Sequence, residues 1–302
     1  MIYVIPIIFG VSLITFGIFE IMPGDPVLQK LGKVATQEDV DRLRDQMGLS
    51  GPFYERYGHF LKQIVTLDFG TSFATDEPIW KMFREGIPPS LTLTIPAFFG
   101  ALFFSVVIAL LLAFSHGKWI DHTVLGVCIF FMSISALSLI IGMQYFFAFK
   151  LGWFPVHGFS SGFEVIKNIT LPVIIWIVLA MGPNIRLYRT VFLEEINKDY
   201  VRTAKAKGLD FAPILFKHVL KNAMIPVITN EVIAIPYLIL GAFLLENFFG
   251  IPGVGDMLIT AIPNSDYPVI KAFVVYVSFT LVLFNLISDI LYSVVDPRVR
   301  LS

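Results

Sequence analysis

Residues 91–114 read Leu-Thr-Leu-Thr-Ile-Pro-Ala-Phe-Phe-Gly-Ala-Leu-Phe-Phe-Ser-Val-Val-Ile-Ala-Leu-Leu-Leu-Ala-Phe, a run of 24 without a charge. At 1.5 Å of rise per residue, such a run covers the roughly 30 Å hydrocarbon core of a bilayer as a helix. A helix is the one open-chain structure that pairs all of its backbone polar groups in lipid. Similar runs lie at Tyr3–Met22, Val124–Phe149, Leu171–Tyr188, Ile225–Phe249 and Ala272–Val295. The chain is 56% hydrophobic and 15% charged, with a mean hydropathy of +0.77, whereas soluble domains carry about 25% charged residues. The expectation is an all-α integral membrane protein of about six transmembrane helices. The first run is too long for a signal-peptide core and leads into Pro23-Gly24-Asp25-Pro26, not a small-residue cleavage site, so it reads as a retained span.

Charge placement sets the orientation. Arg186, Arg189, Lys198, Arg202, Lys205, Lys207, Lys217 and Lys221 crowd one loop, while Gly250–Ile270 holds no Lys or Arg. Basic short loops mark the cytoplasmic side, which places this loop and both termini in the cytoplasm. Lys118 after the second span and Arg298 and Arg300 in the tail agree. Pro23–Ser90 also has eight Lys or Arg, against ten acids, but segments above about 60 residues translocate largely regardless of charge. The expected organisation is a first span at 1–22, an extracytoplasmic helical subdomain at 23–90, and a core of five spans at 91–302 with the basic loop at 189–224. In the subdomain, Thr36 can cap a helix with Asp39 three residues on and Gly48 as its stop. Ser50 and Pro52 start a second helix, with Tyr57, Phe60, Leu61 and Ile64 on one face.

Catalytic machinery is missing. Gly32-Lys33 and Gly117-Lys118 are followed by Val34 and Trp119, so neither completes the phosphate-cradling loop of an ATPase. No zinc-protease or serine-hydrolase motif occurs, and the five histidines are scattered. Cys128 is the single cysteine, which excludes an intrachain disulfide and a cysteine-built metal site. No catalytic residue and no metal site are expected. Polar side chains inside spans are costly and face a cavity or a partner. Asn285, Asp289 and Tyr292 fall at i, i+4 and i+7 on one face of the sixth span. Asn230 and Glu231 begin the fifth span, and Glu246 lies near its outer end. Each either lines a solute pathway or joins spans structurally, the structural role being favoured for Glu246. An intramembrane hydrolase would need paired groups at one depth, and Asp289 and Glu246 fall near opposite faces.

Asp199-Tyr200-Val201-Arg202-Thr203-Ala204-Lys205-Ala206-Lys207-Gly208-Leu209 is helix-prone up to the breaker Gly208, with basic residues alternating with small ones. Composition allows two readings: a basic loop lying on anionic lipid, or a surface that a partner approaches closely over Thr203, Ala204 and Ala206. Arg202-Thr203-Ala204 with Gly208 resembles the E-A-A-x-x-x-G signature of ABC importer permeases, in the form of their dipeptide/oligopeptide/nickel branch. Further segments resemble that branch in order: Met22-Pro23-Gly24-Asp25-Pro26, Leu67-Asp68-Phe69-Gly70-Thr71-Ser72, Pro88-Pro89-Ser90-Leu91, Leu151-Gly152-Trp153-Phe154-Pro155, Asp266-Tyr267-Pro268 and Asp296-Pro297-Arg298-Val299-Arg300. One departure is Ser135-Ala136-Leu137-Ser138-Leu139, where the branch carries a proline and an aromatic.

The resemblance implies a channel subunit and not an enzyme, in a bacterial or archaeal cytoplasmic membrane. Its implied partners are a second homologous permease, two ATPase subunits that bind the ATP and Mg, an extracytoplasmic solute-binding protein and the lipid bilayer. The chain itself would hold no cofactor, and no nucleic acid is expected. Tyr200, Arg202, Thr203, Ala204, Lys205, Ala206, Lys207 and Gly208 would form a coupling helix docked on an ATPase. Asp25, Asp68 and Asp266 would contact the binding protein. The branch implies di- or oligopeptides as solute, ahead of nickel, glutathione or another small solute.

Overall fold

All six apolar runs contain helix, and the departures from expectation lie in where the helices begin, bend and stop. The computed structural model describes residues 4–21, 27, 36–46, 50–160, 162, 164–210, 213–240 and 242–295, without the side chains at 4, 5, 7, 8, 19, 21, 43, 46, 237, 239, 240 and 288–295. In chain order the helices are α1 (Val4–Ile21), α2 (Gln37–Gln46), α3 (Phe53–Thr66), α4 (Ile79–Phe114), α5 (Trp119–Ser133), α6 (Ala136–Met143), α7 (Glu164–Ile196), α8 (Asp199–Ala206), α9 (Leu220–Leu240), α10 (Phe243–Phe249), α11 (Val254–Ala261) and α12 (Tyr267–Val295). Two wider, π-helical stretches, Gln144–Lys150 and Ile214–Val219, extend α6 and lead into α9. Among the described residues there is no sheet, only a bridge between Thr71 and Pro78. Among the described residues, four helices are long and apolar enough to cross a membrane: α4, α7, Ile214–Pro236 and the Tyr267–Ile287 part of α12; the bent pair α5–α6 adds a fifth crossing when counted as one span.

α4 explains how the bundle closes. Ala97, Ala101, Ser105, Ala109 and Ala113 recur at four-residue intervals, and all are buried. Small residues at that spacing let backbones approach closely, which is how helices gain dispersion energy in a solvent as apolar as their own side chains. α7 packs along α4 for much of its length. The fit leaves no spare room: a Cβ on Gly100 would meet Ile177 Cδ1 at 2.5 Å, and one on Gly182 of α7 would meet Met132 Cγ at 2.8 Å. Roughly opposite the small stripe, Phe99, Phe103 and Leu111 are exposed, as a lipid-facing side requires.

The two short helices of the 23–90 region follow the sequence reading. Thr36 Oγ1 accepts the Asp39 amide at 3.3 Å at the start of α2, and α2 ends at Gln46. The stop assigned to Gly48 lies outside the described residues. α3 turns Phe60 and the half-buried Tyr57 onto α1, where both contact the Phe16 ring at 5.8 and 5.4 Å between centroids. Polar contacts fix the same pair: Ser12 Oγ and the Tyr57 hydroxyl lie 2.8 Å apart, and Arg56 pairs with Glu20 at 2.6 Å.

Three expectations are corrected. The second span begins at Ile79 rather than Leu91, so the boundary drawn at residue 90 falls inside a helix. Pro88 and Pro89, read as a signal before the span, sit within it; prolines are tolerated where neighbouring helices re-satisfy the backbone. The third run is not straight: α5 and α6 meet at 98°, because Ile134 and Ser135 are extended, with ψ of 133 and 135. The break occurs without the proline that the branch carries two residues later. The fifth run is divided between α9 and α10, and Ala242 between them is non-helical, with φ −104 and ψ 71. Thr94 Oγ1 donates to the Leu238 carbonyl at 2.8 Å, meeting one of the acceptors that the end of α9 leaves open.

Candidate functional site

α8 is an eight-residue helix whose two sides differ. Val201 and Ala204 are buried in a cluster with Ala109, Tyr188, Phe192, Ile214, Val219, Ala223 and Val227, contributed by α4, α7, α9 and the stretch leading into α9. Arg202, Thr203, Lys205, Ala206 and Lys207 are exposed. The surface expected over Thr203, Ala204 and Ala206 is therefore split: Ala204 faces its own chain, and the other two face outward. At the start of α8, Glu195 accepts Lys198 Nζ and, at 2.5 Å, the Tyr200 hydroxyl. Burial pushes the Tyr200 hydroxyl pKa up, and the Glu195 carboxylate adds to the effect. Asp199 in the first turn and Lys205 in the last complement the helix dipole.

Gly208 ends α8 by a specific hydrogen-bond pattern. Its own amide donates to the Lys205 carbonyl at 3.0 Å, and the Leu209 amide donates to the Ala204 carbonyl at 3.3 Å. The second bond requires the left-handed backbone that Gly208 adopts, with φ +74. This is the Schellman arrangement, which gives the last carbonyls of a helix their partners and turns the chain away. The spacing of the Arg202–Gly208 signature thus has a structural cause.

Polar side chains also join α7 to α9 deeper in the bundle. The Tyr188 hydroxyl donates to Glu231, Asn184 Nδ2 reaches Glu231 Oε1 at 3.4 Å, and Asn230 Nδ2 donates to the Tyr188 hydroxyl at 3.3 Å. Asn230 and Glu231 are two of the residues singled out from sequence, and they meet partners on α7. The next residue along α7 makes a contact that the sequence reading missed. Arg189 grips Asp121 of α5 with two bonds, Nε to Oδ1 at 2.7 Å and Nη2 to Oδ2 at 2.6 Å. The Gly117 amide donates to Asp121 Oδ2 at 3.1 Å, and His116 Nδ1 lies 2.8 Å from Arg189 Nη2. Asp121 is fully buried. Planar two-point recognition of a carboxylate is the task to which arginine is best suited. Among the described residues, no group of three His, Cys, Asp or Glu could hold a metal ion.

The family described as binding-protein-dependent transport system inner membrane component matches residues 105–301, and its N-terminal region matches residues 1–94. The chain belongs to this family. It is a permease, a multi-pass inner-membrane component of a transport system and not an enzyme. The dipeptide transport system permease protein of Alkalihalophilus pseudofirmus is 32% identical over 98% of this chain and 96% of its own length. The glutathione transport system permease protein of Shigella flexneri is 31% identical over 98% of this chain and 95% of its own. The structure is similar to an inward-facing MetNI methionine ABC transporter chain, with a TM-score of 0.59, 19% identity, and coverage of 73% of this chain and 99% of that one. At that identity the likeness concerns the fold.

At the end of the permease away from α8, three carboxylates singled out from sequence have different environments. Glu246 is fully buried and accepts the amides of Ala242 at 2.9 Å, Gly255 at 2.7 Å and Asp256 at 3.1 Å. Ser90 of α4 accepts the Val254 amide at 2.9 Å beside it, and a Cβ on Gly253 would lie 2.3 Å from Glu246. Glu246 thus holds the turn from α10 into α11. Asp266 is buried as well, which corrects its reading as an open docking contact: its carboxylate accepts the Ser72 hydroxyl and, at 3.0 Å, the Phe73 amide. Asp68 is exposed, and its Oδ1 accepts the Gly70 amide at 3.2 Å. Asp25 lies outside the described residues. Between the 72–86 segment and α11 opens a cleft of about 400 Å³, lined by Ser72, Glu77, Glu85, Asp256 and Asp266 among others. Asn285 is exposed on α12, and the side chains of Asp289 and Tyr292 on that face lie outside the described residues.

Proposed function

We propose that this permease is half of the membrane channel of an ATP-driven importer for di- or oligopeptides, and that α8 is the helix through which ATP hydrolysis on separate subunits drives it. The complex would contain a second homologous permease, two ATPase subunits carrying the ATP and Mg, and a solute-binding protein delivering solute from outside. The basic loop and both termini would face the cytoplasm. The observation that supports this most is the two-sided build of α8. Its apolar side is seated on the bundle, while Arg202, Thr203, Lys205, Ala206 and Lys207 are left for a partner. A basic loop that served only to lie on lipid headgroups would have no need of a helix stopped by a left-handed glycine at a fixed place.

The solute class is supported by the relatives named for dipeptides and peptides, with glutathione, itself a tripeptide, as the second reading. Extraction from the native host in mild detergent, followed by mass spectrometry, should recover an ATPase and a second permease with this chain. Recovery of neither would count against the assembly. Thermal stabilisation of the co-purified binding protein by a panel of peptides, glutathione and nickel then decides the solute. A response to nickel alone would overturn the peptide reading.

A further inference from the structure

α7 and α9 are the two long helices that the α8 segment joins, and a buried polar group ties them to each other. Near α8, Glu195 of α7 holds the Tyr200 hydroxyl. Seven residues back along α7, and so on the same side of the helix, Tyr188 holds Glu231 of α9, with Asn184 and Asn230 completing the group. Tyr188 is 0% exposed and Glu231 7% exposed. Apolar side chains of Phe192, Ala223 and Val227 belong to the same packed cluster as Tyr188.

A carboxyl group is a poor means of adding stability to this place. Breaking a buried polar pair is costly, yet an apolar pair of the same volume generally serves stability as well or better. What a buried polar pair does supply is register, because sliding or rotating one helix strands the donor and the acceptor without partners. That property matters most beside a segment that is pushed.

We propose that Tyr188 and Glu231 are positioning residues for transport: they hold α7 and α9 in fixed register, so that displacement of α8 moves both helices as one lever. The proposal rests on the coupling role of α8 given above. The complex purified from native membranes and reconstituted in lipid provides the test. Spin labels are placed at exposed Thr190→Cys of α7 and Ile233→Cys of α9 in a Cys128→Ala background. The parent pair should keep one distance both without nucleotide and after trapping with Mg-ATP and vanadate. Tyr188→Phe, which deletes the hydroxyl, should broaden or split that distance already without nucleotide. Glu231→Gln, which keeps an acceptor for Tyr188, should leave it single. If Tyr188→Phe fails to accumulate in the membrane, Asn230→Ala weakens the same group from its rim and should broaden the distance in the same direction. A parent distance that changes on trapping, or a single distance in both the Tyr188→Phe and Asn230→Ala variants, overturns the proposal. Failure of the coupling role leaves a separate mark: a single label at exposed Ala206→Cys would have the same mobility with and without bound ATPase subunits. The nucleotide-free distances would still decide on the register.

Discussion

At Gly208 the requirement is for a backbone angle and not for space. Its φ is +74, and no atom lies within 4 Å of where a Cβ would stand. Gly208→Ala therefore costs about 1 kcal/mol through the left-handed backbone alone. In an eight-residue helix that cost frays the last turn. If α8 couples as proposed, the expected result is normal insertion with less solute carried per ATP, read from labelled-solute uptake against phosphate release. An unchanged ratio would remove Gly208 from the coupling role. Asp121 presents the opposite case, a charge pair with little slack. Asp121→Ala leaves Arg189, only 15% exposed, without its carboxylate and should cost roughly 3 kcal/mol. A marked fall in the detergent melting temperature would register it, and an unaltered melt would show the pair to be dispensable. Glu246→Ala strands three backbone donors at about 1–3 kcal/mol each, whereas Glu246→Gln keeps an oxygen and should melt between that variant and the parent. Sequence alone leans towards a structural role for Glu246, because its place near the outer end of the span puts it at the membrane interface. Asp121 passes unnoticed, since its arginine lies 68 positions away and nothing local links the two.

Among elements, the long apolar runs are legible because lipid selects for them residue by residue. The breaks are less so. Ile134 and Ser135 carry neither proline nor glycine, and the 98° bend there follows from packing that no local pattern announces. At the split between α9 and α10, Glu246 captures the Ala242 amide locally and the Gly255 and Asp256 amides as well, and those last two contacts form only once α11 has folded back. The coupling segment stands between these cases. Its helix and glycine stop can be read from the sequence, but the inward turn of Ala204 depends on Phe192 and Val219 being beneath it. The alanine stripe of α4 was in principle readable from its four-residue spacing. Ala109→Leu, at a fully buried place on that stripe, should destabilise the bundle by about 1–3 kcal/mol. Phe103→Leu on the exposed side should stay within about 0.5 kcal/mol. Thermal unfolding of the two variants in one detergent compares them directly, and equal melts would refute the assignment of faces.

For the whole molecule, orientation follows from the side on which α8 lies. A cysteine placed at Lys205 should react with a membrane-impermeant maleimide only in inside-out vesicles, and one at Glu85 only in right-side-out vesicles; both positions are exposed. The reverse pattern would invert the topology. α4 runs between these two ends as one helix of 36 residues, about 54 Å at the usual rise. Its three prolines, Pro88, Pro89 and Pro96, all lie in the half near the cleft, and the half carrying Ala97 to Ala113 has none. Helices give way at prolines, so any flexing of this rod is concentrated above the stripe. A tilt of the mouth would then be absorbed above the stripe and would leave the packed footing beneath it in place.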